Sequence, residues 1–370
     1  MKTNLPELYD NFTKFYRLFK QVFIHYAALV NEDILYMQKY VLSIVALGAF
    51  GLSGCQTTPM TVQSATNHLQ PAAQCGEAQA RPNQIDFEKI KQTEQRPVIA
   101  LVLGSGGARG YAHIGALEVL EQAGIRPDFI VGTSAGSIVG SIYASGKPAI
   151  ELRNIALSMR PNDVRDIKLA RKGFFDGKKV EDYVNLQVDQ TPLEAMKIPM
   201  FVVATALKEG KKVVFNYGNT GQAVRASVSI PSMFIPTIIQ GKEYVDGGLV
   251  SPVPVDVARE LGADIVIAVD ILAQPIHTET TNVWGLFNQN INIMQQHLAH
   301  EELKHADVVI QPDLREKGHI FDVRGRELTM QAGAEATQLK LMEISQAYQK
   351  HDYAQGHRIP QFVVHEHQAQ

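Results

Sequence analysis

The sequence predicts an α/β fold, with a mainly parallel central sheet covered by helices in three α/β/α layers. Three observations predict it. Short runs that are apolar throughout and carry β-branched residues mark strands buried on both faces. Helical stretches alternate with these runs. The loops between them are short and rich in glycine, the pattern of a parallel sheet.

Taken in order, Val98 to Leu103 is the first buried strand, followed by the turn Gly104 to Gly110. Ile114, Leu117, Val119 and Leu120 then keep a helical spacing up to Gly124. Phe129 to Val131 is a second strand, and a helix runs from Ala135 to about Ser145, ended by Gly146 and Pro148. The segment from Arg165 to Lys179 is basic and holds Phe174 and Phe175. It reads as a solvated loop with two core aromatics, contact with a lipid surface being the alternative. Met200 to Ala204 and Ile265 to Val269 are further strands, the latter preceded by a helix from Pro254 to Leu261 that stops at Gly262. Val308 to Ile310 is a late strand. The folded domain is expected over 96–312, with a C-terminal helix and polar tail over 313–370.

Composition narrows the function. The 370 residues carry 35 basic and 38 acidic side chains, a formal net charge of −3. A nucleic-acid binder would normally show a basic excess. Two cysteines, Cys55 and Cys75, are too few for a disulfide scaffold, and neither has a metal-ligand spacing. No metal or cofactor is called for.

Residues 37–54 read as a secretory signal. Lys39 precedes an apolar run from Tyr40 to Phe50, which is shorter than the roughly 20 residues a membrane span needs. The following Leu52-Ser53-Gly54-Cys55 resembles the lipobox of bacterial lipoproteins. That resemblance implies an acylated Cys55 and, with Gln56 next to it rather than Asp, the outer membrane facing the periplasm. A buried core helix is the alternative reading. A leader of 36 residues fits such a signal badly, so initiation at Met37 is expected, with residues 1–36 an upstream mis-start or disordered extension. Residues 55–95 are rich in Gln, Thr, Ala, Pro and Ser and form a flexible tether. Cys75 would then stay a free thiol.

Two loops carry the chemistry. If the strands ending at Leu103 and Val131 are parallel neighbours, the right-handed crossover puts both loops at one sheet edge, where such sheets bind ligands. The second loop, Gly132-Thr-Ser134-Ala-Gly136, is a Gly-x-Ser-x-Gly elbow between strand and helix, which lifts a nucleophilic serine above the sheet. The first loop lacks the third glycine of a dinucleotide fingerprint, because Arg109 stands there. It reads instead as an oxyanion hole, whose Gly-Gly backbone N–H groups would meet the oxygen with no side chain in the way.

A serine nucleophile needs a base. His277, His297, His300 and His305 follow the elbow, as do His365 and His367 in the tail, and none has a loop signature. His297, His300 and Glu301 read best as solvated surface. Asp246, in Tyr244-Val-Asp-Gly-Gly248, follows a β-like stretch. It is either a turn former or, if buried enough to raise its pKa, the base.

These residues resemble a family. The Gly104–Gly110 loop, the Gly132–Gly136 elbow, Arg225 to Pro236, and Asp246-Gly-Gly248 are similar, in order, to the signatures of patatin-like phospholipases, near the neuropathy-target-esterase branch. The resemblance covers roughly 97–270. It implies the patatin-like fold, a Ser134–Asp246 dyad without a catalytic histidine, and an oxyanion hole formed by Gly106, Gly107, Ala108 and Arg109. It also implies hydrolysis of fatty-acyl esters of lipids, as phospholipase A, lysophospholipase or carboxylesterase. The alternatives are a non-catalytic lipoprotein that binds acyl chains or a partner, and a thioesterase or deacylase acting on soluble substrates.

Overall fold

In a computed structural model of the chain, residues 96–170, 172–272, 281, 283–314 and 325–355 are described, with Ala73, Gln74, Phe87 and Ile90. Residues 1–36, the expected signal over 37–54, Cys55 and most of the 55–95 tether lie outside the described residues, as do Cys75, His277, His365 and His367.

The strands are β1 (Ala73–Gln74), β2 (Ile99–Leu103), β3 (Phe129–Thr133), β4 (Ile167–Ala170), β5 (Gly173–Phe175) and β6 (Met200–Ala206). They continue with β7 (Lys211–Phe215), β8 (Thr237–Ile239), β9 (Lys242–Asp246), β10 (Ile265–Val269) and β11 (Val308–Ile310). The helices are α1 (Tyr111–Gln122), α2 (Ala135–Ala144), α3 (Ala149–Ser158), α4 (Pro161–Val164) and α5 (Lys178–Gln187). After them come α6 (Thr220–Val228), α7 (Val255–Glu260), α8 (Val283–Leu303) and α9 (Arg326–Gln355).

The main sheet has the order β1-β7-β6-β3-β2-β10-β11. From β6 through β11 every neighbouring pair along this path is parallel, as the apolar runs predict. Alternation divides each strand between two cores. Ile99, Leu101 and Leu103 face α1 and α2, whereas Ala100 and Val102 face α7. The strands are thus covered on both faces, the three layers expected. Among the described residues no helix is long and apolar enough to cross a membrane.

One local departure from the parallel order positions the site. Strand β3 pairs with the first half of β6, ending at Thr133 opposite Val203. Strand β9 pairs with the second half of β6 in the opposite direction, with Asp246 opposite Ala204. The two strands therefore meet end to end along β6, which brings Ser134 and Asp246 together. Gly247 makes the meeting sterically feasible: a Cβ there would lie 2.3 Å from Val203 O.

The basic segment departs from expectation. It forms a separate antiparallel hairpin, β4–β5. Phe175 is half-buried and packs on Phe234 with ring centroids 5.5 Å apart. Phe174 is 46 % exposed and does not join the core. Adjacent strand residues point to opposite faces, so Phe174 points away from the side on which Phe175 meets Phe234.

Candidate active site

Ser134 sits where β3 ends and α2 begins, with φ 52° and ψ −117°. For a non-glycine residue this is strained backbone, typically costing ~1–3 kcal/mol. Its surroundings hold it there. A Cβ on Gly136 would lie 2.0 Å from Leu103 O, and one on Gly132 would lie 2.7 Å from Gly136 O. Both elbow glycines are thus required by the close passage of α2 over β2 and β3. The Ser134 N–H donates to Ser227 Oγ (2.8 Å), whose own hydroxyl donates to Val203 O (2.6 Å). This pins the strained backbone to β6.

The Ser134 hydroxyl donates to Asp246 Oδ2 at 2.7 Å. Both residues are 3 % exposed. Burial raises the Asp246 carboxyl to about 6, although the hydrogen bonds from Ser134 and from the Gly248 N–H pull the other way. Desolvation disfavours the carboxylate more than two donors restore it. The Asp246 N–H is in turn held by Ser229 O at 2.9 Å. Within one motif, Ser227 therefore fixes the serine and Ser229 fixes the aspartate.

The Gly-rich loop lies beside this pair. Gly107 to Gly110 form a 3-10 turn leading into α1. The first N–H groups of such a turn have no acceptor inside it. Gly107 and Ala108 line a cavity together with Ser134. The Arg109 N–H is occupied by Gly106 O at 3.3 Å, and its side chain is buried, with Nε donating to Ile271 O at 2.9 Å. Arg109 thus braces the loop from below. A Cβ on Gly106 would fall 2.7 Å from the Ile271 side chain, so this brace admits only glycine there.

His113 is a second brace. It is fully buried, its Nε2–H donates to Gly104 O (2.9 Å), and burial lowers its pKa to about 4. The ring is neutral at neutral pH and supports the loop backbone. His297 and His300 are exposed on α8, and His305 pairs with Asp256 at the surface. None of these three reaches the serine.

Two cavities flank Ser134. The larger, about 200 Å³, is almost wholly apolar. It lies between the helices and is lined by Tyr111, Ile138, Ile142, Leu152, Val184 and Ile230. The smaller, about 40 Å³, lies on the Asp246 side and is bordered by Asn288 and Gln295 of α8. Nearby, Glu302 of α8 bonds Ser251 Oγ and accepts from the Val253 N–H (2.9 Å), and burial raises its carboxyl to about 7. This buried acid docks α8 beside the site. Sequence patterns miss α8 because its polar residues look like those of any solvated helix. Ser227 and Ser229, by contrast, lie inside the Arg225–Pro236 segment already singled out. Among the described residues no cluster of potential metal ligands occurs.

The site thus brings together a strained serine at a strand–helix elbow, a buried carboxylate that accepts its hydroxyl and a helix-opening Gly loop. Residues 101–259 match the model of the patatin-like phospholipase family. An uncharacterised NTE family protein of Mycobacterium bovis is 36% identical over 178 residues, which cover 47% of this chain and 49% of that one. Patatin-like phospholipase domain-containing protein 6 of Mus musculus is 32% identical over 221 residues, 56% of this chain and 16% of that one. The chain thus spans about half the length of the mycobacterial relatives it matches. Among solved structures, VipD from Legionella pneumophila superimposes with a TM-score of 0.45 at 14% identity, covering 69% of this chain and 67% of that one.

Proposed function

We propose that the protein hydrolyses fatty-acyl esters of lipids, with Ser134 as nucleophile and Asp246 as its base. The observation that carries this reading is the 2.7 Å hydrogen bond from Ser134 Oγ to a buried carboxylate at the mouth of an apolar cavity. Ser134 Oγ attacks the ester carbonyl as Asp246 accepts its proton. The carbonyl oxygen gains negative charge, and the Gly107 and Ala108 N–H groups receive it, helped by the helix start beyond them. The tetrahedral intermediate collapses, the C–O bond to the alcohol breaks, and Asp246 returns the proton to the departing oxygen. Water then attacks the acyl-serine, again giving its proton to Asp246, and the fatty acid leaves as Ser134 Oγ is reprotonated. The acyl chain occupies the apolar cavity, and the alcohol part leaves by the smaller, more polar one.

An apolar cavity reached through a serine favours a long acyl group over a small soluble ester. A carboxylate near 6 is a far better base than an exposed aspartate near 4 and is still ionised above neutrality.

Fluorophosphonate labelling tests the dyad. Wild-type protein should label at Ser134 and turn over lipid esters. Ser134→Ala should lose the label altogether, and Asp246→Asn should lose at least about 10²-fold in kcat, in the range of general-base loss. Activity should fall as pH drops through about 6, because protonated Asp246 no longer accepts the serine proton. Labelling and turnover of Ser134→Ala at the wild-type level would sink the proposal.

A further inference from the structure

The β4–β5 hairpin lies at the rim of the apolar cavity. Val164 and Arg165, immediately before it, line the cavity, and so does Phe234, which faces Phe175. The hairpin is strapped to that rim by backbone bonds. The Phe174 and Phe175 N–H groups donate to Met233 O (2.8 and 3.0 Å), and the Ile235 N–H donates to Phe175 O (2.9 Å). Arg225 clamps its far end, with Nη2 on Asp176 O at 2.8 Å and on Asp176 Oδ1 at 2.6 Å. The hairpin base is therefore a fixed part of the cavity mouth.

Its outer surface is apolar and basic together. Ile167 is 80 % exposed and Phe174 is 46 % exposed. Lys172 reaches Glu243 at 2.5 Å, and Glu243 stands opposite Ile238, itself 60 % exposed. Ile167 stands opposite Phe175 in the hairpin, so it and Phe174 project on opposite sides of it, and both sides present an exposed apolar residue in a segment that carries Lys168 and Lys172. Burying none of these apolar residues in the fold leaves an apolar surface that water solvates poorly.

Charge points to the occupant. Residues 160–179 contain seven basic side chains (Arg160, Arg165, Lys168, Arg171, Lys172, Lys178, Lys179) and three acidic ones (Asp163, Asp166, Asp176), a formal +4. Since the whole chain is −3, the remaining residues carry −7. An acidic molecule that concentrates positive charge around exposed Ile and Phe at its cavity mouth is complementary to an anionic lipid surface. The ion pairs of Lys168 with Asp176 and of Lys172 with Glu243 are exposed and weak, so they yield readily to lipid phosphates.

We propose that the β4–β5 hairpin, with Ile238 beside it, docks the protein on an anionic lipid bilayer and seats the cavity mouth against it. Ile167 and Phe174 enter the interface while the lysines meet the headgroups. An acyl chain then passes from bilayer to apolar cavity without crossing water. This rests on the reading that the cavity receives acyl chains, but the docking is measured separately from catalysis.

The test uses the full chain with Cys55→Ala, so that no acyl anchor contributes. Sedimentation is measured with vesicles of phosphatidylglycerol and phosphatidylcholine and with vesicles of phosphatidylcholine alone. Anionic vesicles should bind the protein at least fivefold more tightly than neutral ones, and salt should weaken the binding. I167S/F174S and K168Q/K172Q should each lower anionic binding at least fivefold. Both should keep the parent's thermal midpoint and its turnover of a short water-soluble ester within twofold. Variants that bind like the parent, or a parent indifferent to vesicle charge, overturn the docking proposal. A parent that docks but fails to turn over any ester overturns the hydrolase reading and leaves the docking standing.

Discussion

At the scale of single residues, Ser134 and Asp246 differ in how far their sequence context announces them. Ser134 is legible because the elbow imposes a local requirement: its two glycines exclude a Cβ at 2.7 Å and 2.0 Å from backbone oxygens. Asp246 is not legible in the same way. An Asp before Gly-Gly reads equally as a turn former, and its Oδ1 does accept the Gly248 N–H at 2.7 Å, as a turn former would. Its burial depends on β6, a distant element, so the neighbouring sequence cannot show it. Only the family resemblance chose between the two readings. The burial also has an energetic consequence. The folded-state pKa is raised from 3.8 to about 6, so the native state binds the proton more tightly than the unfolded chain. Native stability from this group is therefore intact below about pH 4 and is lost as pH rises through about 6. Asp246→Asn removes the charge that causes the loss. It should stabilise the protein at pH 8 by roughly 1–3 kcal/mol, part of the gain being offset by an amide N–H₂ that must find acceptors. The gain should shrink toward zero by pH 4–5. Thermal melts at pH 8 and pH 5 check this, and a variant less stable than wild type at pH 8 would refute it.

At the scale of elements, the parallel strands are legible because burial on both faces leaves them apolar but for Thr133 and Thr205. Strands β7, β8 and β9 are harder to see. Lys211 and Lys212 open β7, and Lys242 and Glu243 open β9, so half of each strand reads as loop. The hairpin aromatics show the same limit: two adjacent Phe residues look alike in sequence, yet Phe175 packs on Phe234 and Phe174 is largely exposed. Helix packing adds a feature that composition hides. Helices α1 and α9 cross so closely that a Cβ on Gly115 would lie 1.8 Å from Met330 O, and one on Gly333 would lie 2.0 Å from Ala112 O. Arg326 strengthens the crossing, with its guanidinium 5.6 Å from the Tyr111 ring centre and Nη1 on Ala156 O at 2.7 Å. Replacing Gly by Ala inside a helix normally gains ~1 kcal/mol. Here the new methyl meets backbone on a rigid helix, and overpacking of ~1–3 kcal/mol is the larger effect. Gly333→Ala should therefore lower the thermal midpoint by several degrees. G115A/G333A should cost less than the sum of the two single changes, since the first already separates the helices. A rise in midpoint for either single variant would refute the close crossing.

At the scale of the whole molecule, the cavity is the feature least visible in sequence. Its walls are the same Ile, Leu and Val residues that fill a core, and periodicity cannot distinguish a filled interior from a hollow one. The hollow arises because α1, α2, α3, α5 and the segment after α6 meet around Ser134 without closing on one another. Its depth follows from α2. Ser134 precedes the first residue of that helix and Ile142 lies eight residues along the chain, about 12 Å away at the usual rise. A side chain enlarged at Ile142 should shorten the cavity from its far end and leave the mouth unchanged. Ile142→Phe adds volume in a space that is already empty, so the cost to stability should stay near the low end of overpacking, about 1 kcal/mol. Its effect on catalysis should depend on chain length. Uniform binding of the distal acyl carbons is lost only by substrates long enough to have them. For a four-carbon acyl ester, kcat/KM should stay within about twofold of wild type. For a sixteen-carbon ester it should fall tenfold or more, which corresponds to about 1.4 kcal/mol of lost transition-state binding. The comparison is made with one alcohol and a series of acyl lengths, so that the leaving group contributes equally throughout. If the short and long esters fall together, the substitution has disturbed Ser134 rather than the cavity end. If neither falls, the acyl chain lies elsewhere, and the apolar space beside Ser134 is not its binding site.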